Sequence, residues 1–221
     1  MKVNLYVGVM MMFVKSMMKP PHECLTVQMG ADLKSVISLL EQHDIQAVPV
    51  LDGSFFIGML SKEIIYKRYF ESDQPKEVYL TESSAGDLVE KEDLYIKEDE
   101  VFERTLPVFT GYSVIAVVSE DKKFLGLVTR ADVLEQFESA FGVKRKGIRI
   151  AFTSEESEGR IERLGDILKQ YHENVISLAT FDETDKLARR IVLKVDPNDN
   201  IDKFTKKLEK TGFRVLDIKE V

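Results

Sequence analysis

Two stretches of this chain share one layout. Ile45-Gln46-Ala47-Val48-Pro49-Val50, a turn at Asp52-Gly53 and Phe55 to Ser61 read as strand, turn, strand and helix start. Tyr112 to Val118, a polar turn through Ser119 to Lys123 and Phe124 to Thr129 read the same way, with a turn one residue longer. Gly58 then matches Gly126, and Ser61 matches Thr129. Upstream of the first pair, Leu33, Val36, Ile37 and Leu40 fall at i, i+3, i+4 and i+7 behind Asp32, the apolar stripe of a helix. In the second copy Val101, Phe102 and Leu106 run into Pro107, which predicts a shortened or kinked helix. Each copy of about 60 residues therefore runs strand, helix, strand, strand, helix. Together they fill Phe13 to Gly142, joined across the polar, Pro75-containing segment from Glu71 to Ser84.

The pattern changes after Val143-Lys144-Arg145-Lys146-Gly147. Ile148 to Phe152 reads as a strand, and Ile161, Leu164, Ile167, Leu168 and Tyr171 as a helical stripe. Val175 to Phe181 and Ala188 to Val195 read as strands around a polar turn. Phe204 and Leu208 lie on a second helix closed at Thr211-Gly212, and Phe213 to Ile218 is the last strand. The order βαββαβ describes a ferredoxin-like domain with its helices on one sheet face, so the chain as a whole is α/β (α+β).

Composition narrows the function. A net charge of −7 gives no basic surface for nucleic acid, and Glu90 to Asp93 and Lys97 to Glu100 read as solvated faces. The single cysteine, Cys24, rules out an internal disulfide and suits a reducing, cytoplasmic compartment. His22, His43 and His172 lack metal-ligand spacing, so no metal is expected. Met1 to Met12 looks like a weak signal peptide, but Asn4 interrupts it and no small-x-small cleavage site follows. Its dozen or so residues fall short of the roughly 20 that span a bilayer, so residues 1–11 are read as a short extension from an upstream start codon, with no membrane partner. No Ser-His-Asp or Cys-His arrangement, P-loop or metal cluster stands in the sequence, which argues against an enzyme.

The chemistry concentrates where Phe124 to Thr129 ends and a helix begins. Free backbone N–H groups and the helix dipole at that turn suit a phosphate, and the Asp132 carboxylate could hold the two hydroxyls of a ribose. Thr-x-x-Asp before an amphipathic helix is equally a capping box, in which the two side chains satisfy backbone N–H groups. Both readings stand on the residues alone.

Val48-Pro49-Val50-Leu51-Asp52, Gly58 to Ser61 and Gly126 to Asp132, in a duplicated module, resemble the motifs of the CBS domain pair, or Bateman module. The opening Phe13-Val14-Lys15-Ser16-Met17-Met18 is similar to the start of many such pairs. The βαββαβ unit, with Asn174-Val175 at a strand start, resembles an ACT domain. A CBS pair followed by an ACT domain resembles acetoin-utilisation accessory (AcuB-like) regulatory proteins. On this basis residues 12–72 and 73–143 are the two CBS domains and 147–221 the ACT-like domain. The resemblance implies a site in which Asp132 holds the ribose of an adenosine-type ligand, Thr129 meets its phosphate, and Tyr112, Ser113 and Val114 line its base.

Arg130 is the nearest cation to that corner, although it reads equally as a solvated surface residue and Tyr112 equally as core. With so little positive charge, AMP, ADP or another adenosine derivative is expected rather than ATP. In the first repeat Ser61 keeps the hydroxyl, but Ile64 stands where Asp132 would be, and Glu63 points about 100° away on a helix. That first site is expected to be degenerate, weak or empty. The loop Thr153 to Gly159 lacks the Asp-x-Pro-Gly usual in ACT domains that bind an amino acid, and its acids would repel a carboxylate. The resemblance implies a homodimer and a protein partner. The reading that follows is a non-enzymatic sensor of an adenine nucleotide; an assembly protein with no nucleotide ligand, or an amino-acid-sensing regulator, are its alternatives.

Overall fold

The computed structural model describes residues 13–109, 111–155, 157–182 and 188–221. The N-terminal extension, the centre of the turn before Ala188 and Glu156 lie outside the described residues. The chain divides into two compact units, one ending at Leu134 and the other running from Glu135 to Val221.

The first unit holds two three-stranded sheets of identical plan. One is β1 (Val27–Gln28), β2 (Ala47–Asp52) and β3 (Phe55–Ser61); the other is β4 (Tyr95–Lys97), β5 (Val114–Val118) and β6 (Phe124–Thr129). In each, the first pair is parallel and the second antiparallel, with β2 set against β3 and β5 against β6 by the turns read in the sequence. Between β1 and β2 the apolar stripe forms α1 (Leu33–Gln42), whose first turn is closed by the Asp32 carboxylate accepting from the Ser35 N–H at 2.9 Å. Leu33, Val36, Ile37 and Leu40 are buried on it. After β3 comes α2 (Lys62–Phe70).

The second repeat's helix is short, as Pro107 predicts: Phe102–Val108 is a 3₁₀ helix with Pro107 inside it. Its buried residue is Thr105, whereas Leu106 is half exposed. The joining segment, read as a polar connector, contains helix α3 (Lys76–Glu82). Tyr79 and Leu80 bury its inner face in the first repeat's core, and the Tyr79 hydroxyl donates to the Ile65 carbonyl at 3.1 Å.

The repeats exchange their entering arms. Lys19 pairs with Leu127 of the second repeat through two backbone hydrogen bonds of 2.8 and 3.1 Å, and Phe13 bridges Val101. Glu90 pairs with Met59 of the first repeat through bonds of 2.8 and 3.0 Å, and Ser84 bridges Asp32. The hairpin turns also meet: Phe56 N–H donates to Lys122 O and Phe124 N–H to Ser54 O. Behind these contacts Ala47, Leu51, Phe56, Met59, Ala116, Val118, Phe124 and Leu127 form one core drawn from both repeats. The repeated glycines sit where the arms cross. A Cβ on Gly126 would lie 2.1 Å from Lys19 O, and one on Gly58 would lie 2.6 Å from Val89 Cγ1 and 2.8 Å from Glu90 O.

The second unit is an antiparallel sheet of order β10, β7, β9, β8, formed by β7 (Ile148–Glu155), β8 (Val175–Asp182), β9 (Ala188–Val195) and β10 (Arg214–Glu220). Ile150 and Phe152 on β7 and Ile191, Leu193 and Val195 on β9 alternate toward one face. There they meet Leu164 and Ile167 of α5 (Arg160–Tyr171) and Phe204 and Leu208 of α6 (Ile201–Lys210). The fold is thus a tandem repeat followed by a βαββαβ domain. In the second unit, Arg160 donates to Ser154 Oγ at 2.7 Å and to the carbonyls of Thr211 and Gly212, with its guanidinium 4.4 Å from the Phe213 ring centroid.

Gly126→Ala is expected to destabilise the first unit by about 1–3 kcal/mol, because the added methyl meets rigid backbone. Urea unfolding against Gly30→Ala, where a Cβ meets nothing within 4 Å, checks this; equal midpoints for the two variants would contradict the crossing.

Candidate functional site

Each repeat ends its hairpin at the head of a helix, and the two heads differ. At α4 (Arg130–Ala140) the Thr129 N–H and hydroxyl donate to Asp132 Oδ2 at 2.8 and 2.6 Å, and the Asp132 N–H returns to Thr129 Oγ1 at 3.1 Å. That is a closed capping box, built on one carboxylate oxygen. At α2 the Ser61 hydroxyl accepts from the Ile64 N–H at 3.2 Å, and Ile64 turns into the first repeat's core. No carboxylate returns to Ser61 from that position.

Arg130 is exposed, yet it is tied to the backbone. Its N–H donates to Ser113 O at 2.9 Å, and its guanidinium donates to the carbonyls of Phe109 at 3.3 Å and Tyr112 at 3.1 Å. The Phe109 ring lies 5.9 Å below the guanidinium. The arginine therefore moors the segment leading into β5, and so positions Tyr112 and Ser113.

A cavity of about 620 Å³ opens beside this segment, within the range of small-molecule sites. The first repeat lines it with Gln46, Ala47, Ser61, Glu63, Ile64 and Lys67, and the second with Gly111, Tyr112, Ser113 and Arg130. Glu90 and Lys91, from the exchanged arm, close it. Of the residues singled out in the sequence, Tyr112, Ser113 and Arg130 share this cavity with Ser61, whereas Thr129, Asp132 and Val114 do not line it. Val114 faces Thr129 across β5 and β6 and packs against the shared core.

Three cations, Lys67, Lys91 and Arg130, face two carboxylates, Glu63 and Glu90, and Glu90 is already approached by Arg68 at 3.6 Å. Burial holds the Tyr112 hydroxyl above its ordinary pKa; its hydrogen bond with Ser61 opposes this, and nearby Glu90 and Glu63 reinforce it. Tyr112 is thus a neutral donor at the cavity wall. Lys67 was readable as one turn beyond Ile64 on the same helix face. Lys91 carried no signal, since it reaches the cavity only through the arm exchange, at a left-handed φ of 57°.

The model of the CBS domain matches residues 14–71 and 85–139, the two repeats just described. The chain belongs to the CBS domain family. The CBS pair is similar to CbpB of Listeria monocytogenes solved in complex with c-di-AMP, at 25% identity over 57% of this chain and 94% of that one, with a TM-score of 0.51. It is also similar to a CBS domain-containing protein of unknown function from Bacillus anthracis, at 24% identity, 59% and 97% coverage and a TM-score of 0.51. A hypothetical conserved protein from Geobacillus kaustophilus matches at 21% identity, 57% and 96% coverage and a TM-score of 0.52. No curated protein matches the chain. Among the described residues of the CBS pair and the domain after it, no helix is long and apolar enough to cross a membrane.

A raised pKa in the folded state means that Tyr112 stabilises the fold fully below the unfolded tyrosine pKa, and that this is lost as pH rises through the folded value. Stability measured between about pH 9 and pH 12 is expected to fall more steeply in the wild type than in Tyr112→Phe; parallel curves would place the hydroxyl in open water.

Proposed function

We propose that this protein is a non-enzymatic sensor that binds an adenosine nucleotide in its CBS pair and signals through its ACT-like βαββαβ domain as a homodimer. The observation that carries this reading is the cavity shared by the two repeats. It combines a neutral tyrosine hydroxyl, a serine hydroxyl at a helix head, apolar walls at Ala47 and Ile64, and three cations among its lining residues. A base can lie on the apolar walls while a phosphate meets the lysines and the helix head. The slight excess of positive charge suits AMP, ADP or a cyclic dinucleotide better than ATP, and the c-di-AMP complex of the similar CbpB supports that class of ligand. Asp132 gives one oxygen to the capping box, and its second oxygen would accept a ribose hydroxyl beside Thr129. Val114 would form the wall of that second corner.

A second reading is favoured by the same capping box: it is complete without a ligand, as in an assembly protein whose CBS pair only forms an interface. Thermal unfolding of nucleotide-free protein with AMP, ADP, ATP and c-di-AMP separates the two. A ligand at about 100 times its Kd should add roughly 2.7 kcal/mol of stability, a shift of several degrees. No shift with any nucleotide would leave the assembly reading in place.

A further inference from the structure

We infer that the cavity at Ser61 accepts an adenosine nucleotide without reading its ribose diol, so that ligands whose 2′- or 3′-oxygen is absent or esterified bind there as well as AMP does. This rests on the nucleotide reading above, and it follows from the contrast between the two helix heads. At α4 the third residue, Asp132, is a carboxylate held over the turn. At α2 that position is Ile64, buried in the core, and the helix head offers only the Ser61 hydroxyl. A pair of neighbouring hydroxyls needs an acceptor with several lone pairs, and the sec-butyl side chain of isoleucine has none.

The other polar groups of the cavity serve different parts of a ligand. Among the described residues neither Lys67 nor Lys91 takes part in an ion pair, so both ammonium groups are available to phosphate oxygens. Lys67 lies one turn beyond Ile64 on α2 and lines the same cavity. The guanidinium of Arg130 is bonded to the Phe109 and Tyr112 carbonyls and shapes the wall. Glu63 and Glu90 are the two carboxylates that could replace the lost acceptor. Glu63 stands one residue before Ile64, about 100° around the helix from the missing carboxylate, and Glu90 is drawn to Arg68 at 3.6 Å and held by its backbone to Met59.

Calorimetric titration of full-length Asp132→Ala, in which the carboxylate-bearing corner is disabled, tests this with AMP, 2′-deoxy-AMP, 3′-deoxy-AMP and cyclic di-AMP. The three mononucleotides are expected to bind within about threefold of one another, with cyclic di-AMP retained. Adding Lys67→Glu should weaken all of them at least tenfold. A site that reads the diol through a carboxylate would instead lose roughly ten- to hundredfold on removing one hydroxyl, and any loss above threefold overturns the inference. So does loss of AMP binding in Asp132→Ala while the wild type still binds, because the Ser61 cavity is then not a ligand site. Absence of binding in the wild type sinks the nucleotide reading itself. Ile64→Asp, if folded, should create a preference for AMP over 2′-deoxy-AMP, and Glu63→Gln and Glu90→Gln in the Asp132→Ala background should leave the ratios unchanged.

Discussion

Lys19 crosses β6 at Gly126 and the Val89-Glu90 peptide crosses β3 at Gly58, so closely that neither glycine has room for a side chain. The first unit depends on these two crossings. Each repeat alone is a small three-stranded sheet with one helical segment between its first two strands and a helix after its third, and each leaves the outer strand of its hairpin without a backbone partner. Giving its entering arm to the other repeat completes that hydrogen bonding on both sides. It also places a single apolar core between the two hairpins, where Phe56 and Met59 of one repeat meet Phe124 and Leu127 of the other. The repeats therefore share one core.

The same exchange builds the cavity. Glu90 and Lys91 belong by sequence to the second repeat's arm, yet they face Ser61 and Lys67 of the first, because Glu90 is bonded to Met59 two residues before Ser61. Any ligand held there touches a hairpin end, a helix head and the crossing arm at once. A ligand held there would bear on the arm, where one repeat grips the other, and on the segment that Arg130 moors within the second repeat. The second unit is organised differently, around Arg160. Its guanidinium binds β7 through Ser154 and the end of α6 through Thr211 and Gly212, and it covers Phe213, so both helices are fixed on one sheet face.

Much of this was legible in the residues. Gly58 and Gly126, Ser61 and Thr129, and the β2 and β3 hairpin with its β5 and β6 copy fell where periodicity and turn chemistry put them, as did the order of the βαββαβ domain. Those features are local: a strand alternates, a helix stripe recurs, and a capping threonine acts within four residues. Helix α3 was missed because Lys76-Glu77-Val78-Tyr79-Leu80 is too short and polar to show a stripe, and only burial of Tyr79 and Leu80 against the first repeat makes it a helix. Around the candidate site, the hydroxyls and Arg130 were recognisable as residue types. Their grouping was not, since Tyr112, Ser113 and Arg130 share with Ser61 a cavity that Thr129 and Asp132 do not line.

The sequence by itself determined the duplication, the two glycines and the unequal helix heads, with a carboxylate at Asp132 and an apolar side chain at Ile64, because each is set within one turn or one hairpin. Which residues face one another across the cavity was decided only by the tertiary structure. Ser61 stands 29 positions before Glu90 and 51 before Tyr112, and no local periodicity records the crossing of one repeat's arm over the other's strand.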